Sequence, residues 1–218
     1  MDTDTLVRRL AEGGSPVRPR ASPTSRALLW VAIASPFVAA TALWHGFERD
    51  IAMVFAEPRF LAEQCAALAT ALAAATAAFA TGTPGFPRAY RFLPLPALAL
   101  WLFTLAAACS EDLADLGPAW FRMGVDAGCL PAMAAAGLAP AVVMLVMIRG
   151  AVPLAPRLTL FYAALAPAAL VSFALQFFHH GDVTLMAVVW HFGLVWLVAP
   201  LMALLGRLVI RWPRSAPG

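Results

Sequence analysis

The chain has 218 residues, 62% of them hydrophobic and 12% charged, with a net charge of +3 and a pI near 9.1. A soluble domain of this size cannot hide so much apolar surface, so lipid must be the solvent for much of it. The positive balance is not a nucleic-acid signal, because the fifteen arginines are spread between apolar runs rather than gathered on one face.

Residues 2–12, DTDTLVRRLAE, predict a short amphipathic helix. Thr3 or Asp4 can cap it, and Leu6, Val7 and Leu10 fall on one side at helical spacing. Arg8 and Arg9 occupy the rest, and Gly13 and Gly14 end it. SPVRPRASPTSR follows, with Pro16, Pro19 and Pro23. Such a stretch is semi-stiff, at ~3.1 Å per residue where polyproline-like. A small amphipathic helix on a spacer anchors poorly and presents a binding motif well; a disordered tail end is the plain alternative. The tail, residues 1–26, is too long and polar for an ordinary signal peptide, so an uncleaved first span is expected.

Six apolar runs come next, at 27–47, 60–80, 92–110, 127–148, 158–178 and 183–206. Each is close to the roughly 20 residues a helix needs to cross a ~30 Å hydrocarbon core. The expected fold is therefore an all-α integral membrane protein: a six-helix transmembrane domain over 27–206 with tails at 1–26 and 207–218. Arginine sets the orientation. Twelve arginines lie in the N-terminal tail, the second and fourth connections and the C-terminal tail, against three in the other connections (Arg49, Arg59, Arg122). Both ends are expected to be cytoplasmic. Pro36, Pro94, Pro96, Pro131, Pro140, Pro167 and Pro200 fall in the runs and can kink helices, which a bundle tolerates. The second run, ALATALAAATAAFA, is alanine-rich and weakly hydrophobic, which places it inside the bundle.

Little in the outer half points to chemistry. The third connection, SEDLADLGPAWFRMGVD, is acidic and reads as a solvated loop in which Glu111, Asp112, Asp115 and Asp126 face Arg122. Cys65, Cys109, Cys129, His45, His179, His180 and His191 all fall in the outer half. Sulfur and imidazole suit Zn, Cu and similar metals, and exposed thiols are oxidation targets. Equally, free cysteine often acts as a small apolar filler, and a Cys109–Cys129 disulfide remains open. No Ser/His/Asp set, paired carboxylates or phosphate loop is present, so no enzyme activity is expected. Glu63 and Gln64 are shallow and only His191 is deep, whereas transporters usually carry several deep charges.

Several stretches in order resemble the NrsF-type membrane anti-sigma factors of proteobacteria. They are MDTDTLVRRLA with PVRP (Pro16 to Pro19), FERDIAMVFAEPRFL, RGAVPLAP (Arg149 to Pro156) and GCLP, which puts Cys129 at a family cysteine. FFHHGD departs from the pattern, with His180 where a second outer cysteine would stand. The resemblance implies a bacterial inner-membrane protein that sequesters an extracytoplasmic-function sigma factor, without binding nucleic acid itself. Leu6, Val7 and Leu10 would enter a groove of that partner, with Arg8 and Arg9 on its acidic rim. Release would follow a periplasmic metal or redox signal at Cys129, with His179, His180 and Cys109. Cys129 and His180 would form the metal pair for a transient soft or borderline ion of the Zn, Cu or Cd class. A small polytopic transporter and a structural subunit of a membrane complex are the competing readings, and oligomeric state is open.

Overall fold

A computed structural model describes residues 2–12, 21–45, 56–117, 129–149, 155–176, 193 and 204. The described residues form six α-helices and one 3-10 turn, with no strand among them. They are α1 (Thr3–Glu12), α2 (Pro23–His45), α3 (Pro58–Thr81), the 3-10 turn (Arg88–Phe92), α4 (Pro94–Leu116), α5 (Cys129–Ile148) and α6 (Pro156–Leu175). Four stretches are helical, long and apolar enough to cross a membrane: Pro23–Trp44, Pro58–Thr81, Arg88–Asp115 and Pro156–Ala174. A shorter apolar stretch, Ala134–Ile148, lies in α5. The sixth expected run and the C-terminal tail lie outside the described residues, except for Gly193 and Leu204.

The helix boundaries have local causes. Pro58, Pro94 and Pro156 open α3, α4 and α6, at positions where a missing N–H costs no hydrogen bond. Helix α2 starts at Pro23, four residues ahead of the first apolar run. Ser22 caps it: the Ser25 N–H donates to Ser22 Oγ at 3.1 Å, and the two hydroxyls lie 2.8 Å apart. In α1, Thr3 and Asp4 lie within the first turn rather than ahead of it, and the Leu6 N–H bonds the Asp2 carbonyl at 3.2 Å.

The acidic segment after Ser110 is not the loop its polarity predicts. Helix α4 continues to Leu116 and ends at Gly117, whose φ of 53° takes the chain out of the helix while its N–H bonds the Leu113 carbonyl. Nothing between Ser110 and Gly117 breaks a helix, and Pro118 forbids going on. Among the described residues only Pro36, Pro140 and Pro167 sit inside helices; Pro200 lies outside the described residues. Pro94, Pro96 and Pro131 lie in first turns, where proline fits without a kink.

Consecutive helices run in opposite directions. Arg26 at the start of α2 reaches Met147 at the end of α5, and Thr81 at the end of α3 meets Thr159 near the start of α6. Arg59 at the start of α3 pairs with Glu111 late in α4. Helices α2, α3, α5 and α6 form a four-sided cluster, and α4 lies against the outer side of α3. Helix α3 is thus the hub, in agreement with its alanine content. Ala71, Ala74, Ala75, Ala77 and Ala78 are fully buried there, because their small side chains let neighbouring backbones approach closely. Its threonines turn inward without orphaned hydroxyls: Thr70 and Thr76 donate to the carbonyls of Ala66 and Leu72 at 2.7 and 2.8 Å.

The outward faces invert the pattern of a water-soluble protein. On α2 the buried stripe is Ala27, Trp30, Ala34, Val38 and Ala42, while Leu28, Leu29, Ile33, Phe37, Leu43 and Trp44 are exposed. Leu138, Val142 and Val146 are exposed on α5. Contiguous apolar faces of this kind mark a surface that meets lipid or another protein.

Candidate functional site

Helix α1 has an apolar face open to a partner. Every described side chain of the helix is exposed, and Leu6 and Val7 keep 41% and 60% of their surface open. Leu10 lies one turn beyond Leu6 on the same face, although its side chain is outside the described residues. Arg8 and Arg9 are exposed on the remaining circumference. A ten-residue helix is marginal by itself in water, so α1 gains most from docking its apolar face.

The alternation of helix directions gathers charge at the two ends of the bundle. One end collects the starts of α2, α4 and α6 and the ends of α3 and α5. It carries Arg26, Arg88, Arg91, Arg149 and Arg157 and no described carboxylate. The other carries Glu57, Glu63, Glu111, Asp112 and Asp115, with Arg59. The chain leads into α2 at the arginine end, so α1 is tethered there.

Arg26, read from the sequence as a tail charge, is built into the arginine end. Its guanidinium donates to the Met147 carbonyl at 2.7 Å and stacks over the Phe79 ring, 4.3 Å from the centroid. Met147 is in the last turn of α5, where carbonyls lack helical partners and a cation is favoured. One turn further along α2, the buried Trp30 Nε1 donates to the Pro140 carbonyl at 3.0 Å. The first turns of α2 are thereby locked to α5.

The acidic end holds a polar cluster that the sequence does not reveal as one. Gln176 Nε2 donates to Glu63 Oε1 at 2.8 Å, joining the end of α6 to the start of α3. Gln64 beside it is only 4% exposed, and its Oε1 has no hydrogen-bond partner among the described residues. Glu111 pairs with Arg59; Arg122 lies outside the described residues. Cys65 is exposed on α3 and Cys109 is half-buried on α4. Cys129 is the first residue of α5, at the same end, with its side chain outside the described residues. His179, His180 and His191 also lie outside them, and with them the Cys129–His180 metal pair. Among the described residues no group of three or more His, Cys, Asp or Glu is placed to hold a metal ion.

No curated protein and no solved structure matches the chain. A family model described as NrsF, negative regulator of sigma F, matches residues 10–212. The match takes in all five long helices and the connections between them, and it begins within α1, leaving Leu6 to Arg9 ahead of it. Over nearly its whole length, then, this chain belongs to the NrsF family of negative regulators of a sigma factor.

Proposed function

We propose that the protein is a membrane-bound anti-sigma factor of six spans, with the arginine end, both termini and α1 in the cytoplasm of a bacterium. It acts by binding rather than catalysis. It sequesters an extracytoplasmic-function sigma factor, and α1 supplies the grip. Leu6, Val7 and Leu10 lie in an apolar groove of the partner, and Arg8 and Arg9 contact acidic groups on its rim. The observation that carries this reading is the open apolar face of α1, tethered to the arginine end of a bundle whose outer faces are apolar. Five arginines at that end and the carboxylates at the other favour the cytoplasmic side for the former.

The release step runs through α5. Cys129 opens that helix at the acidic end, and Met147 in its last turn holds Arg26 at the root of the tail. A metal ion or oxidant acting at Cys129, with His179, His180 or Cys109, would displace α5. The displacement would reach α2 through the Arg26 and Trp30 bonds. Coupling of this kind requires two bundle states that differ in affinity for the sigma factor.

The test is co-purification. Each leucine contributes about 1.5–3 kcal/mol when fully buried, and a carboxylate in its place adds a desolvation cost. Leu6→Asp with Leu10→Asp should weaken capture of the sigma factor by at least about 100-fold, with membrane insertion unchanged. Undiminished capture removes α1 from the mechanism.

A further inference from the structure

The arginine end has exposed cations, and among the described residues of the bundle no carboxylate lies at that end. Arg88 and Arg91 lie in the 3-10 turn and Arg157 in the first turn of α6, and all three are exposed. The Tyr162 hydroxyl donates to the backbone carbonyl of Arg91 and so ties that turn to α6. Tyr162 is five residues beyond Arg157, a rise of about 7.5 Å along the helix. The corner that holds Arg88 and Arg91 is therefore joined to the start of α6, whose first turn carries Arg157.

The same corner is apolar below its charges. The Arg91 guanidinium stacks on the Phe92 ring, 4.6 Å from the centroid, which shields one face of the cation and leaves its N–H edge for an anionic oxygen. Phe92 and Leu95 are 53% and 49% exposed. Their apolar surface continues along α4 through Leu102 and Phe103, one helical face running away from the arginines. An acidic protein surface would satisfy the arginines and leave this strip bare. A lipid satisfies both, with its phosphate among the arginines and its chains along the strip.

We propose that Arg88, Arg91 and Arg157 bind the phosphate of an anionic glycerophospholipid, with Phe92 and Leu95 along its acyl chains. This rests on the reading of α2–α6 as lipid-embedded. The full chain is purified in mild detergent from membranes containing phosphatidylethanolamine and phosphatidylglycerol, and the lipid retained per chain is measured. The native chain should retain phosphatidylglycerol above its bulk share. Each arginine replaced in the series to R88Q/R91Q/R157Q should reduce that enrichment roughly fivefold. The triple lysine variant should keep most of it, as should R8Q/R9Q, which alters charge elsewhere. Phosphatidylglycerol retained equally by R88Q/R91Q/R157Q overturns the site. Full displacement by millimolar inorganic phosphate assigns the arginines to free anions and overturns it also. Loss of the sigma factor from that variant with phosphatidylglycerol unchanged gives the corner to a protein partner instead. Release of the native chain from membranes by alkaline carbonate overturns something different, the lipid-embedded reading itself.

Discussion

Replacing Arg26 with alanine is the most direct test of how the bundle is held together. The side chain donates a charge-assisted hydrogen bond to the Met147 carbonyl and covers the Phe79 ring, so α2, α5 and α3 meet on it. A hydrogen bond from a charged donor contributes about 1.5–3 kcal/mol. A partly desolvated cation over an aromatic ring adds about 0.5–2 kcal/mol. The last-turn carbonyls of α5 favour a cation by a further ~0.3–1 kcal/mol, much of it already counted in the hydrogen bond. Arg26 is only half-buried, so water replaces part of what is lost, and a net cost of about 2–4 kcal/mol is expected for R26A. At about 2–4 °C per kcal/mol for a chain of this length, melting in detergent should fall by roughly 5–15 °C. Arg26→Lys should recover part of the loss, because an ammonium reaches one carbonyl but stacks poorly. Phe79→Leu isolates the ring, and a double-mutant cycle with R26A should show positive coupling. A change in R26A below about 2 °C, or additive effects in the cycle, refutes the reasoning.

Two further outcomes can be checked with single substitutions. Gln64→Leu replaces a buried acceptor without a partner by an apolar group of similar volume, so melting should rise by a few degrees, reflecting an orphan cost of about 1–3 kcal/mol; a fall would mean that the amide is satisfied in the native bundle. Cys129→Ser should leave repression intact and blunt induction by a cadmium-class ion or an oxidant in a reporter strain, whereas normal induction ends the role of that thiol.

Much of this architecture is legible in the sequence, and the parts that are not share a cause. Hydropathy marks α2, α3, α4, α5 and α6 to within a few residues, except where α4 runs on past Ser110. There polarity misleads, because Glu111, Asp112, Leu113, Ala114 and Asp115 are compatible with helix, and only Gly117 and Pro118 stop it. The hub position of α3 follows from its alanines, since large side chains would hold its neighbours away. The α1 face follows from periodicity alone. The Arg26–Met147, Trp30–Pro140 and Glu63–Gln176 contacts each join residues more than a hundred positions apart. No local pattern encodes such pairs, so Arg26 reads as a tail charge and Gln176 goes unnoticed. The Ser22–Ser25 cap is legible in the sequence, because serine, proline and a second serine at that spacing is a helix start.

That cap also limits how far the protein can reach. With α2 beginning at Pro23 and α1 ending at Glu12, ten residues lie between them. Even pulled straight, they span no more than about 35 Å. On the proposed reading, a sigma factor held by α1 stays within about that distance of the arginine end of the bundle. Inserting residues into that connection should widen the range and leave the strength of the grip unchanged, with no residue of α1 altered.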